Sequence, residues 1–407
     1  MISAPASRAT PASPKERIVA RAKEIGFDLI GVASAQPFAD DEHVFKERVA
    51  GGLLADWHYP DATIERTCRP SRVLPGARSI ICTATSYITD AVPHDPYAPG
   101  MRGAISNYSW GKDYHHVIGP RLRRLAAFIE REFPGQHCVA CVDTGPMVDR
   151  AAAVRAGIGW FGKNANLLTR EFGSWVFLGE LITTLELEPD EPLVKSCGQC
   201  VECISRCPTG AIGPSGSVDA RRCISHLTQS RKAIPRGLRP AIGNRLWGCD
   251  DCQTVCPVNE RKELAAKSKA RAEFAPLPHI GTSMDLASVL HMTSSQFRSW
   301  FGPTSMAWRG KAVLQRNAAV ALGNSRDVRA LGPLVEALSD RKPLVRGHAA
   351  WAVGHLCAQI GGSLSEDDTA PARMALRSLL RRERDQSVRE EATLALQLFD
   401  DERQELA

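Results

Sequence analysis

Residues 197–208 read CGQCVECISRCP, a C-x2-C-x2-C-x3-C-P run without a mismatch in a chain of 407 residues. Thiolate sulfur is a soft donor suited to iron–sulfur clusters, and two-residue gaps let one loop aim successive sulfurs at a single small object. Where this spacing holds [4Fe–4S] cubes, three close thiolates wrap one cube and the fourth ligates a second. A partner run, CDDCQTVCP, places Cys249, Cys252 and Cys256 before Pro257, with Leu246 where its first cysteine would stand. Isolated Cys223, in RRCISHL, can supply that missing ligand. The count then closes: Cys197, Cys200 and Cys203 with distant Cys256 hold one cluster, and Cys223, Cys249 and Cys252 with Cys207 hold the other. Two alternatives use the same residues. Zinc knuckles usually show paired cysteines and do not need the Cys-Pro ending, and a disulfide framework belongs to oxidising compartments.

The run is the signature of bacterial ferredoxins, and eight of the 13 cysteines fall between 197 and 256, which marks a ferredoxin-like module. Of the remaining five, Cys82, Cys138, Cys141 and Cys357 stand in apolar surroundings, where a free thiol behaves as a small hydrophobe. Cys68 stands in polar ERTCRPSR and its role is open. Upstream, residues 14–190 alternate helical and strand-like patterns, as an α/β domain would. Pro14 to Ile25 is amphipathic, Ser79–Thr89 and Val139–Val142 read as buried strands, and Trp175–Leu187 reads as a long strand or strand pair. Pro146 is expected in the first turn of the helical segment AAAVRAG. Gly- and Pro-rich loops at 92–103 and 157–166 are where a site would sit. Past Lys311, LQRNAAVALGN, DVRALGPLVEALSD, PLVRGHAAWAVGHL and SVREEATLALQLF echo one another, which resembles HEAT-type helix hairpins. A plain helical cap is the alternative. The expected order is a disordered tail (1–13), an α/β domain (14–190), a ferredoxin-like two-cluster domain (191–275) and a HEAT-like helical domain (276–407), a multidomain α+β/α/β chain.

With 43% hydrophobic and 24% charged residues, the composition is that of a soluble globular protein. No apolar run approaches the ~20 residues that span a bilayer, and the start MISAPASRATPASPK lacks the apolar stretch of a secretory signal. A cytoplasmic monomer without a membrane partner is expected.

VDTGPMVDRAAAVRAGIGWFGKN (142–164), SWGKDYH (109–115), SHLTQSRKAIP, GNRLWGCDDCQ and the cysteine pattern together resemble the cobalamin-dependent epoxyqueuosine reductases, from about residue 15 to about 325. The resemblance implies an N-terminal cobalamin-binding domain and reduction of epoxyqueuosine to queuosine at the wobble position of tRNA, the last step of queuosine biosynthesis. Two [4Fe–4S] clusters would pass electrons from an external low-potential donor to the cobalt, whose Co(I) form acts on the strained epoxide. The substrate would be the anticodon stem-loop of tRNAs with GUN anticodons. The departing oxygen needs a proton, and the VD-[ST]-GP motif makes Asp143 the implied acid. The residues alone read Asp143 as a helix N-cap, where the helix end lowers its pKa; burial against the corrin would have to raise it again. By register, Arg66, Ser106, Asp143, Leu167, Ser225 and Asp250 match cobalamin-contacting positions. DYHHVIG lacks the glycine of a D-x-H-x-x-G cobalt-binding element, so His115 is not assigned as a cobalt ligand.

The net charge of +6 says little, but Val218–Trp247 holds Arg221, Arg222, Arg231, Lys232, Arg236, Arg239 and Arg245 against Asp219. Such a field would steer a polyanion, with Arg231, Lys232, Arg236 and Arg245 as phosphate contacts. His226, Trp247 and Trp110 could stack on an unpaired base. Arg329, Arg341, Arg346, Arg373, Arg377, Arg381, Arg382 and Arg384 of the repeats could hold more of the tRNA, or face solvent and acidic neighbours. Two other readings are a reductive dehalogenase, which also joins cobalamin to two clusters, and a plain electron carrier.

Overall fold

The computed structural model describes residues 12–267, 271–360 and 365–405. Ser13 starts the first helix, Pro14–Ile25, with a capping box: its hydroxyl accepts from the Glu16 amide, and Glu16 accepts from the Ser13 amide. Residues 1–11 of the expected tail lie outside the described residues.

The strands in chain order are β1 (Leu29–Ser34), β2 (Ser79–Ser86), β3 (Arg102–Ile105), β4 (Cys138–Cys141), β5 (Trp160–Phe161), β6 (Leu167–Leu168), β7 (Val176–Thr183), β8 (Arg245–Trp247) and β9 (Ser283–Asp285). The main sheet runs β1-β2-β7-β4, and every pairing in it is antiparallel. Alternating helix and strand patterns do not fix strand direction, so the expected α/β domain resolves into an antiparallel α+β layer. All eight residues of β2 are buried, the mark of a strand covered on both faces. One cover is helix His115–Glu132, which turns Val117, Ile118, Leu122, Leu125 and Ile129 inward. It sits close because β7 carries Gly179, where a Cβ would stand 2.8 Å from Ile118 Cγ2. The opposite cover is helix Asp149–Arg155. It starts three residues after Pro146, so that proline shapes the approach to the helix rather than its first turn. Of the two readings of Trp175–Leu187, a long strand or a strand pair, the structure has the first, as β7.

A second sheet, β8-β3-β9, takes one strand from each expected domain, with β3 pairing parallel to β8 and antiparallel to β9. The boundaries near 190 and 275 are thus crossed by shared backbone hydrogen bonds. Trp110 and Trp247 are 1% and 0% exposed in the core beneath this sheet.

The C-terminal helices are Lys311–Gly323, Leu331–Ala337, Pro343–Ile360, Glu366–Arg382 and Gln386–Glu405. Helix Pro343–Ile360 is buried nearly all round, as the middle of a stacked array must be. Gly354 lets the last helix approach, since a Cβ there would lie 2.8 Å from the Ala395 Cα. The array is bolted to the cysteine-rich block by polar groups. Fully buried Arg316 donates to the carbonyls of Leu227, Thr228, Ser230 and Lys232, and Asn317 donates to those of Thr228 and Leu246. Among the described residues, no helix is long and apolar enough to cross a membrane.

Candidate active site

Asp143 stands two residues past the end of β4, at φ 44°, a left-handed conformation that a non-glycine residue adopts only when its surroundings impose it. Its carboxylate is 58% exposed. Tyr114 Oη donates to Asp143 Oδ2 at 2.6 Å, and His115 Nε2 lies 3.6 Å from the same oxygen. His115 Nδ1 is 2.8 Å from Asp113 Oδ1. Helix His115–Glu132 thus presents its first residue to Asp143. Tyr114 is held by stacking on Phe177 of β7, ring centroids 4.4 Å apart. The hydrogen bond to Asp113 and then the nearby Asp143 carboxylate push His115 up to about 9. The nearby His115 imidazole and then the Tyr114 hydrogen bond hold Asp143 below the ordinary carboxylate range. The lowered direction expected from the residues alone is found, although its cause is His115 and Tyr114, which outweigh desolvation, rather than a helix end. At neutral pH the carboxylate is ionised, and the mobile proton resides on His115.

Behind this group, Asp149 opens its helix and Glu180 sits fully buried on β7, opposite Cys82 of β2 and Cys141 of β4. Burial raises both carboxyls, Asp149 to about 7. Sequence reading passed over both, because one carboxylate in a strand-like run and one at a helix start carry no pattern.

The four cysteines expected at the first cluster lie together, and charge effects link the four expected at the second. Cys197, Cys200, Cys203 and Cys256 line one small hollow together with Gly162, Lys163 and Asn164. Burial, followed by the thiols of Cys249 and Cys223, raises Cys252, and the Cys207 thiol acts on Cys223. Donor chemistry in each group suits a [4Fe–4S] cube. The 157–166 loop serves both: Lys163 Nζ donates to the carbonyls of Gly198 and Cys200, and Asn164 to that of Cys252. Cys68, left open by its polar sequence, is fully buried at the end of helix Asp61–Cys68, and burial lifts its thiol to about 11.

A cavity of about 790 Å³ lies beside the second cysteine group. It brings Ser106 and Asp250 together with Cys249, but not Arg66, Asp143, Leu167 or Ser225. Asp250 accepts from Ser106 Oγ at 2.5 Å and from the Asn107 amide at 2.9 Å. Leu167 is 4% exposed in β6. Ser225 is half-buried, its amide turned toward Cys223, while Arg66 is exposed, with its charge reaching the Cys141 thiol.

The basic segment divides. Arg245 has a 3% exposed side chain and grips Asp251 at 2.6 Å, so it cannot serve as the expected phosphate contact. Arg236 and Arg239 both pair with Glu391 of the last helix, at 2.6 and 2.7 Å. They join blocks of the molecule rather than face RNA. Arg231 and Lys232 remain exposed. Trp110 and Trp247 are too deeply buried to stack on a base, and His226 is engaged by Asp56. Among the described residues the aromatic rings that do reach solvent include Trp57 and Trp308, along with Tyr97 and Phe161, and no motif flagged the two indoles. In the repeats, Arg329, Arg346 and Arg373 pair with Asp327, Glu383 and Glu366. Arg382 bonds the Leu338 carbonyl, and Arg341, Arg377, Arg381 and Arg384 face outward.

Three family models match the chain: epoxyqueuosine reductase QueG, DUF1730, over residues 67–144; a 4Fe-4S double cluster binding domain over 196–259; and HEAT repeats over 309–397. The epoxyqueuosine reductase of Bacillus cereus is 38% identical over 388 residues, covering 95% of this chain and 97% of the relative. That of Bacillus subtilis is 40% identical over 348 residues, covering 84% and 87%. A crystal structure of epoxyqueuosine reductase with an epoxyqueuosine-modified tRNA-Tyr stem loop superposes with a TM-score of 0.85 at 37% identity, covering 95% of this chain and 98% of that one. Another, from Bacillus subtilis, has its catalytic aspartate loop swung out of the active site and gives a TM-score of 0.84 at 36% identity, covering 94% and 98%. With identity of this level along nearly the whole length of both chains, the chain belongs to the epoxyqueuosine reductase family.

Proposed function

We propose that this protein reduces epoxyqueuosine to queuosine at the wobble position of tRNA, using two [4Fe–4S] clusters and a cobalamin. The observation that carries the reading is the near-full-length likeness to a reductase solved with an epoxyqueuosine-modified stem loop. When bound, the clusters relay single electrons and cobalamin supplies a strongly reducing cobalt. Cys197, Cys200, Cys203 and Cys256 would hold one cluster and Cys207, Cys223, Cys249 and Cys252 the other. The cavity edged by Ser106 and Asp250 offers polar partners for the amide rim of a corrin.

The net change is two electrons and two protons in, and water out. Opening the epoxide places charge on oxygen, and a proton must meet it there. His115 carries that proton at neutral pH, and Asp143 Oδ2, 3.6 Å away, passes it to the substrate while Tyr114 fixes the carboxylate. The exposed position and strained φ of Asp143 suit a loop that closes on bound substrate. A tRNA substrate and thiolate-held clusters favour the cytoplasm.

Asp143→Asn tests the assignment. The variant should retain both clusters and bound corrinoid by visible spectrum and lose about 100-fold or more in turnover; unchanged turnover removes Asp143 from the chemistry.

A further inference from the structure

Trp57 and Trp308 are 42% and 49% exposed, an unusual setting for two indoles. Their ring centroids are 5.9 Å apart at 26°. Tyr59 continues the row, 6.4 Å from Trp57 at 21°. Burial and then the charge of Asp143 raise the Tyr59 phenol, so the inner end of the row lies within reach of the catalytic carboxylate's field. At the outer end, the Arg309 guanidinium stands 3.6 Å from the Trp308 ring centroid and 4.9 Å from that of Trp57. Arg231 donates to the Trp308 carbonyl at 3.4 Å.

The row is anchored before any ligand arrives. Trp57 Nε1 donates to His226 Nδ1 at 3.2 Å, and His226 Nε2 reaches Asp56 Oδ1 at 2.6 Å. Residues far apart in sequence, 56–59, 226–231 and 308–309, therefore meet at one exposed ladder. Flat apolar faces flanked by Arg309, Arg231 and Lys232 match a ligand that is flat on one side and anionic on the other. That is the chemistry of an unpaired nucleotide, whose base stacks on the ring while its phosphate meets the cations.

Resting on the tRNA reading above, we infer that the Trp57–Trp308 stack is the platform for an unpaired anticodon-loop base flanking the one that enters the Asp143 site. A base held there fixes the spacing between loop and catalytic group, so the platform positions substrate rather than taking part in proton transfer.

The test uses the full-length, cluster-loaded protein and anticodon stem-loop RNAs carrying 2-aminopurine at each unpaired loop position in turn. Wild-type protein should quench one flanking position most strongly. Trp57→Ala and Trp308→Ala should each relieve that quench, weaken binding about 5- to 100-fold, and raise KM more than they lower kcat. Trp308→Phe should restore most of the quench, since any aromatic face suffices. Thermal melts of each variant report whether the fold survives. Unchanged quench and affinity in both Ala variants would overturn the inference. So would a drop in melting temperature without loss of binding, which would make the stack a brace between blocks. Failure of the wild-type protein to bind any stem-loop would instead overturn the RNA-substrate reading on which the inference rests.

Discussion

At the scale of single residues, the site is governed by who holds the proton. His115 is raised to about 9 from an ordinary 6.5, so the stability it contributes is whole below 6.5 and fades as pH climbs through about 9. Asp143 is lowered from 3.8, so its contribution is present above 3.8 and fades as pH falls below it. The pair is therefore intact between about 4 and 6.5, and the proton on His115 stays available to about 9. Turnover measured against pH should fall on the alkaline side near 9, and His115→Gln should remove that limb and lower kcat about 10- to 100-fold. An unchanged alkaline limb in the variant would assign it to another group. The sequence named Asp143 through its VD-[ST]-GP resemblance and gave the lowered direction of its pKa, but from the wrong partner. Helix Asp149–Arg155 begins too late to govern the aspartate, and the partners that do, Tyr114 and His115, lie about 30 residues upstream on an element that no spacing rule connects to it.

At the scale of elements, the cysteine runs were the most legible part of the chain, because ligand spacing in a loop is a local property that survives any arrangement of the rest. The grouping of Cys223 with Cys207, Cys249 and Cys252 followed from counting alone, and Cys223 carries a specific expectation. Cys223→Ala should leave one cluster, so iron after anaerobic reconstitution should fall from roughly eight to roughly four per chain. Retention of all the iron would break the ligand scheme. The arginines were less legible. A run of seven basic residues reads as one electropositive field, yet the segment packs under the helical array and turns Arg239 and Arg245 inward to Glu391 and Asp251. Burial direction in an irregular segment has no period to read. The antiparallel sheet was hidden for a similar reason, since buried strands look alike in either direction.

At the scale of the whole molecule, the three sequence blocks share a sheet and a core, so the cysteine-rich block and the helical array are parts of one body. Arg316 shows how tightly they are joined: burial lowers it to about 9, and its guanidinium meets four carbonyls of the cysteine-rich block. Arg316→Leu strands those carbonyls and should lower unfolding stability by about 3 kcal/mol or more in urea titration, whereas exposed Arg329→Leu should change it by less than about 0.5 kcal/mol. Equal effects would mean that the blocks are held together elsewhere. Joining the blocks this way would serve the proposed reaction at Asp143, and that reaction is directly measurable. The anaerobically reconstituted protein, loaded with clusters and corrinoid and given a strong one-electron donor, should convert an epoxyqueuosine-containing anticodon stem-loop to its queuosine form, seen as loss of one oxygen atom by mass spectrometry. Full loading with both cofactors and no loss of oxygen from that RNA would contradict the account.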